Sequence, residues 1–268
     1  MSKSLFIASL KGNSKNISNF AIGSVLYLWI LIWVFPSMSS AKGLNDLIKS
    51  MPEALQKVTG LQSGVHKLND FLAGEYYGLI FVLLLMVYSI IASTQLVARL
   101  VDKGAMAYLV ATPVSRAKII LTQASVLILG LLTIVIFTYV GGLIGAEWFI
   151  EKSDLDKELF LKMNLVGGLL FLVVCAYSFF FSCLFNDEKK AMSISAGVTV
   201  LFYGLDMLGK LSDKFEWMRN ISLFNLFQPQ EIISGDYDVV PTSIGLLVSA
   251  IVIFGLSTLV FKKRDLPL

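Results

Sequence analysis

Residues 117–142, AKIILTQASVLILGLLTIVIFTYVGG, contain one charged side chain, Lys118, at the very start. Apolar residues fall on every side of a helix drawn through this stretch, so no face is left to meet water. At about 1.5 Å per residue it is long enough to cross a hydrocarbon layer of about 30 Å. Five more segments read the same way: residues 17–36, 76–98, 163–185, 191–209 and 242–261. The expected fold is therefore an all-α integral membrane protein with six transmembrane helices, forming a single transmembrane domain over residues 1–268. Composition agrees. Of 268 residues, 56% are apolar and 15% charged, and the mean hydropathy is +0.76. Six spans of about 20 residues absorb roughly 120, which excludes a soluble enzyme and leaves no room for a fused nucleotide-binding domain.

The N-terminus has a competing reading as a signal peptide, with Lys3, Lys11 and Lys15 ahead of an apolar stretch and a small-x-small pair at Ser39 and Ala41. Its polar lead is long and its apolar run exceeds an ordinary signal core, so a retained first span is expected. Orientation follows from charge. With both termini cytoplasmic, the inner segments hold 12 of the 22 basic residues and only four acids, Asp102, Asp187, Glu188 and Asp265; the outer segments hold 10 basic and 15 acidic residues. That is the asymmetry of the positive-inside rule. Among the outer connections, Leu44, Leu47, Ile48 and Met51 share one face of an interfacial helix. The apolar clusters Leu223–Phe224, Leu226–Phe227 and Ile232–Ile233 predict short helices dipping into the outer leaflet.

Catalytic chemistry is missing. The single histidine, His66, falls in an outer loop, so no His-based metal site or triad can be built. No phosphate-binding loop of the G-x-x-x-x-G-K-[ST] kind occurs. Cys175 and Cys183 lie within one apolar run and read as inert. The spans carry almost no charge at mid-membrane, where an ion-driven transporter places it; Glu147 and Asp206 read as helix ends meeting water. Gly141 with Gly145, and Ser193 with Gly197, have the spacing that permits close helix packing. The aromatic residues Tyr177, Phe180 and Phe181 are candidates for an apolar substrate path, against a plainer role in packing.

The connection from Arg99 to Arg116 is not a passive loop. Val101, Ala105, Tyr108, Leu109 and Thr112 recur at helical spacing, with Arg99, Asp102 and Lys103 on another face. Thr112-Pro113 reads as the cap and first position of the following span. A short amphipathic helix over 101–111 is expected on the cytoplasmic side, resting on lipid or docking a partner.

The run from Asp102-Lys103-Gly104-Ala105 through Leu109 to Pro113-Val114-Ser115-Arg116 resembles the acidic-x-Gly-Thr…Leu-Leu-x-x-Pro-x-Ser-Arg segment of type-2 ABC exporter permeases. Asp102 stands where glutamate is common, and Ala105 where threonine is. Residues 222–229 with Gly235-Asp236, and the ending Phe261-Lys262-Lys263-Arg264, are similar to the same family. The resemblance implies a multi-pass subunit of a bacterial plasma membrane, paired with a second permease copy as a homo- or heterodimer. ATP and magnesium would be bound by separate cytoplasmic ABC ATPase subunits, with no cofactor in this chain. The ATPases would dock on Lys103, Gly104, Ala105, Met106, Tyr108, Leu109, Pro113 and Arg116. The uncharged spans favour amphipathic or hydrophobic cargo, a peptide toxin or antimicrobial peptide before a drug or lipid. The alternative is a membrane scaffold or assembly factor that recruits a cytoplasmic partner without transport.

Overall fold

A computed structural model describes residues 2–39, 50–52, 56 and 67–265. Helix dominates, and six helical stretches are long and apolar enough to span a membrane. Once the backbone leaves water, each span must satisfy its own hydrogen bonds, and a helix does so within one segment.

Helix α1, Lys3–Ser39, is continuous. The polar lead carrying Lys3, Lys11 and Lys15 is part of the same helix as the first span, a rod of about 55 Å. The reason is local packing. The backbone N–H of Ser2 donates to Thr122 Oγ1 at 3.2 Å, and Leu5, Phe6 and Leu10 press on the core. Further along, Ile17, Ala21, Ser24, Leu28, Ile32 and Phe35 repeat at three- and four-residue spacing and form the buried face. Ile22, Leu26, Ile30 and Trp33 remain exposed on the other side.

Helix α2 occupies 68–96 in three parts: an α turn Leu68–Phe71, a π-helical segment Leu72–Ile80 and a regular helix Phe81–Leu96. Two short helices follow, α3 (Ala98–Asp102) and α4 (Ala105–Val110). The remaining long helices are α5 (Arg116–Phe149), α6 (Lys157–Leu184) and α7 (Glu188–Leu211). After α7 come two 3-10 segments, Asp213–Ile221 and Leu223–Leu226, then α8 (Pro229–Ser234) and α9 (Val239–Lys263).

Helix α6 is central, with Phe171, Val174, Cys175 and Phe179 wholly buried. Its start is fixed twice. Asp156 caps it, accepting from the N–H groups of Glu158 and Leu159 at 2.9 and 3.1 Å. Asn69 then exchanges two hydrogen bonds with the Asp156 backbone, at 3.1 and 2.8 Å. Helix α1 lies in a crevice on α5 made by missing side chains. A Cβ built on Gly141 would stand 2.7 Å from Val25, and one on Gly145 would stand 2.6 Å from Trp29. The Gly141–Gly145 pair is thus used for close packing, and Trp29 Nε1 donates to the Gly141 carbonyl at 2.7 Å. The Ser193–Gly197 pair is not used within the chain, because a Cβ at Gly197 would meet nothing within 4 Å.

One end of the bundle collects the first turn of α1, the α3–α4 elbow, the α6–α7 turn and the end of α9; this is the basic end. At the opposite end, the short helices after α7 turn Phe224, Phe227 and Ile232 into the bundle rather than towards lipid. The expected amphipathic helix around Leu44, Leu47 and Ile48 lies outside the described residues, as does His66; Met51 is exposed.

Candidate coupling elbow

The segment expected as one helix over 101–111 is two helices broken at Lys103-Gly104. Gly104 sits at φ +69°, a left-handed conformation that glycine adopts without steric cost, so the chain reverses there. Met106 is completely buried, and Val101 nearly so. Leu109 and Val110 pack against the core, while Tyr108 is 80% exposed. Tyr108 and Leu109, expected side by side on one docking face, point different ways. Lys103 and Gly104 are exposed, Ala105 is half-buried and Pro113 is exposed.

The elbow ends differently from the sequence reading as well. The Thr112 hydroxyl donates back to the Leu109 carbonyl at 2.6 Å and closes α4. The cap of α5 is Ser115, whose hydroxyl accepts from the Lys118 N–H, so Pro113 lies in the turn and not at the first helical position.

Each part of the elbow is tied to a long helix. The N–H of Ala98 donates to Ser182 Oγ on α6 at 2.8 Å. Asp102 accepts from the first N–H of α7, that of Glu188, at 3.3 Å, and Arg99 lies 4.0 Å from the Glu188 carboxylate. Arg116 Nη1 donates to the Arg264 carbonyl just past α9 at 2.8 Å, and Arg264 donates to the Cys183 carbonyl near the end of α6. Burial pulls the Arg264 guanidinium below its ordinary pKa, although a guanidinium stays charged at neutral pH. These bonds link the elbow and the start of α5 to the ends of α6, α7 and α9. The Arg264 link was invisible in the sequence, because it joins residues 81 positions apart with no local pattern. We expect Arg116→Ala to cost about 1–2 kcal/mol, a charged hydrogen bond at a half-exposed site. It would register as a lower thermal midpoint in detergent, whereas Lys118→Ala would leave the midpoint unmoved.

The aromatic candidates for a path lie elsewhere. Tyr177 shares a 2.6 Å hydrogen bond with Thr199 on α7. Phe181 packs edge-on against Tyr177 and Phe180, at 6.4 and 5.9 Å between ring centres. The Tyr177 hydrogen bond joins α6 to α7, whereas these ring contacts lie within α6 itself. Asp206 is not a helix end meeting water: it is buried, with Lys210 Nζ at 2.6 Å and Arg219 Nε at 3.5 Å.

Six helices long and apolar enough to cross a membrane, with two short helices at the basic end tied to the ends of the long ones, define a multi-pass membrane protein. The chain belongs to the ABC-2 family transporter proteins, whose family model matches residues 24–266. It is a transmembrane subunit of an ABC transporter, a kind of membrane component that is typically non-catalytic and belongs with an ATPase partner. No curated protein matches it.

Proposed function

We propose that this chain is the permease of an ATP-driven exporter, with its basic end in the cytoplasm, and that ATPase subunits grip the elbow at Tyr108. The observation that carries this reading is the division of labour within α4. Met106 anchors the helix in the bundle, while Tyr108, two residues on, holds a large apolar ring in solvent. An exposed aromatic ring on a short, well-braced helix suits insertion into a partner's groove. Lys103 and Gly104 sit at the rim of that contact, Ala105 and Pro113 border it, and Leu109 and Arg116 transmit its movement inward. The bridged helix ends turn a push on the elbow into a tilt of several spans at once, opening a path between two permease copies. Spans with little mid-membrane charge suit amphipathic or hydrophobic cargo, a peptide before a drug or lipid, with Tyr177, Phe180 and Phe181 moving as α6 slides on α7.

The test is co-purification with the cognate ABC ATPase subunits. Burying an aromatic anchor is worth about 1.5–3 kcal/mol, or roughly 10- to 100-fold in affinity. Tyr108→Asp should lose retained ATPase by about that factor and depress hydrolysis in the assembled complex, while Tyr108→Phe should behave as the parent. Unchanged retention and hydrolysis in Tyr108→Asp would refute docking at this residue. Retained ATPase without cargo export by the parent complex would favour the scaffold.

A further inference from the structure

The first turns of α1, the end of α2, helices α3 and α4 and the third turn of α5 line an open cavity of about 380 Å3 at the basic end. Leu5, Leu96 and Leu109 form its apolar walls, and Ser9, Arg99 and Gln123 add polar groups. Gln123 is the unexplained residue. It sits within α5 at 1% exposure, and its side-chain oxygen has no hydrogen-bond partner. A buried carboxamide oxygen left unpaired is costly, so its natural complement is a ligand that donates a hydrogen. Arg99 asks for the opposite. Its ion pair with Glu188 is long, at 4.0 Å, which leaves guanidinium donors free for an anion.

We propose that this cavity binds the head of a membrane phospholipid. The phosphate would meet Arg99, a hydroxyl or ammonium of the head group would donate to Gln123, and the first methylenes would lie against the leucines. Three features of the place support this occupant. The volume is in the range of a small-ligand site and admits a glycerophosphate head. Lys3, Lys11 and Lys15 on α1, with Lys103 and Lys118 nearby in sequence, make this end attractive to anionic lipid. Ile7, beside the cavity-lining Ala8, is an exposed apolar residue on the helix along which acyl chains would leave. The bound head would wedge α4 against α1, so lipid would set the resting position of the elbow. Binding itself does not depend on the ATPase reading.

The experiment uses the full chain in mild detergent and reads the tightest-held adduct by native mass spectrometry. The probes are phosphatidylglycerol, phosphatidylethanolamine, uncharged dioleoylglycerol and free glycerol 3-phosphate. Both phospholipids should be retained, and dioleoylglycerol should bind about tenfold more weakly, the scale of one lost charge-assisted contact. Glycerol 3-phosphate should not displace either phospholipid. Gln123→Leu and Arg99→Gln should each reduce retention. Gly12→Leu should fill the cavity from α1, where an added Cβ meets nothing within 4 Å, and this variant carries the test if Gln123→Leu fails to fold. Phospholipid retention unchanged in Gly12→Leu, or dioleoylglycerol held as tightly as phospholipid, would overturn the proposal and leave water in the cavity. Displacement by glycerol 3-phosphate would overturn the lipid source in favour of a soluble phosphate ester.

Discussion

Asp206→Ala is expected to release the end of the bundle opposite the elbow. The carboxylate is 2% exposed and holds two cations, Lys210 on its own helix and Arg219 on the following 3-10 segment. Arg219 reaches it by crossing Gly209: a Cβ there would stand 2.3 Å from the arginine's Cγ. The far side of the guanidinium donates to Gln228 at 2.8 Å, just ahead of α8, so one arginine gathers the whole cap onto α7. Removing one member of a buried ion pair costs about 3–5 kcal/mol, because the remaining charge stays desolvated. Here the two cations are roughly one-fifth exposed, which places the cost near the lower end, about 3 kcal/mol. Lys210→Met, which leaves Asp206 with Arg219, should be much milder. The measurement is thermal unfolding in detergent together with trypsin cleavage within residues 212–238. Asp206→Ala should melt earlier and be cut faster there, with the basic end protected as before. Equal melting and cleavage in Asp206→Ala and the parent would show that the cap is held by Phe224, Phe227 and Ile232 alone.

The same residue shows where sequence stops informing. Five of the six spans were legible, with ends misplaced by up to about two turns (α2 begins at Leu68, α5 runs on to Phe149 and α6 begins at Lys157), because hydropathy acts residue by residue and needs no partner. The exception is α1, where Lys3, Lys11 and Lys15 read as a separate polar lead. Whether a lysine-bearing segment continues a helix depends on what Leu5, Phe6 and Leu10 touch. Asp206 read as a wet helix end because the arginine that neutralises it comes 13 residues later in a loop of another kind. The elbow was found by its periodicity, but its faces were misassigned. A single left-handed glycine, Gly104, ends α3 and starts α4 as a separate helix, and within α4 Tyr108 and Leu109, adjacent in sequence, lie about 100° apart around the axis. That conformation was signalled only by the glycine itself. Gln123 gave no signal at all: an amide in a helix is ordinary, and only the cavity around it makes it conspicuous.

Gly141→Ala and Gly145→Ala test whether α1 and α5 are pressed together by shape alone. Lipid tails are as apolar as leucine, so no hydrophobic drive favours this pair, and contact depends on close approach. Each added methyl meets side chains that cannot easily yield. Val25 has two carbons within 2.8 Å of the built Cβ at Gly141, and the Trp29 ring stands 2.6 Å from that at Gly145. Overpacking of this kind costs about 1–3 kcal/mol. At Gly145 the added methyl strikes the same Trp29 ring that donates to the Gly141 carbonyl, so that hydrogen bond is threatened besides and Gly145→Ala should be the worse of the two. A second expectation separates shape from other causes. If α1 shifts away as a rod, the first methyl forces the shift and the second costs less, so the double variant should be less destabilised than the sum. Val25→Ala should rescue Gly141→Ala, because it removes the obstructing carbons, and should leave Gly145→Ala unimproved. Gly197→Ala provides the control. Nothing lies within 4 Å of its Cβ, and alanine is the better helix former by about 0.8–1 kcal/mol, so the isolated chain should be slightly stabilised. Strict additivity, or no rescue by Val25→Ala, would mean that the glycines matter for helix flexibility and not for the fit between α1 and α5.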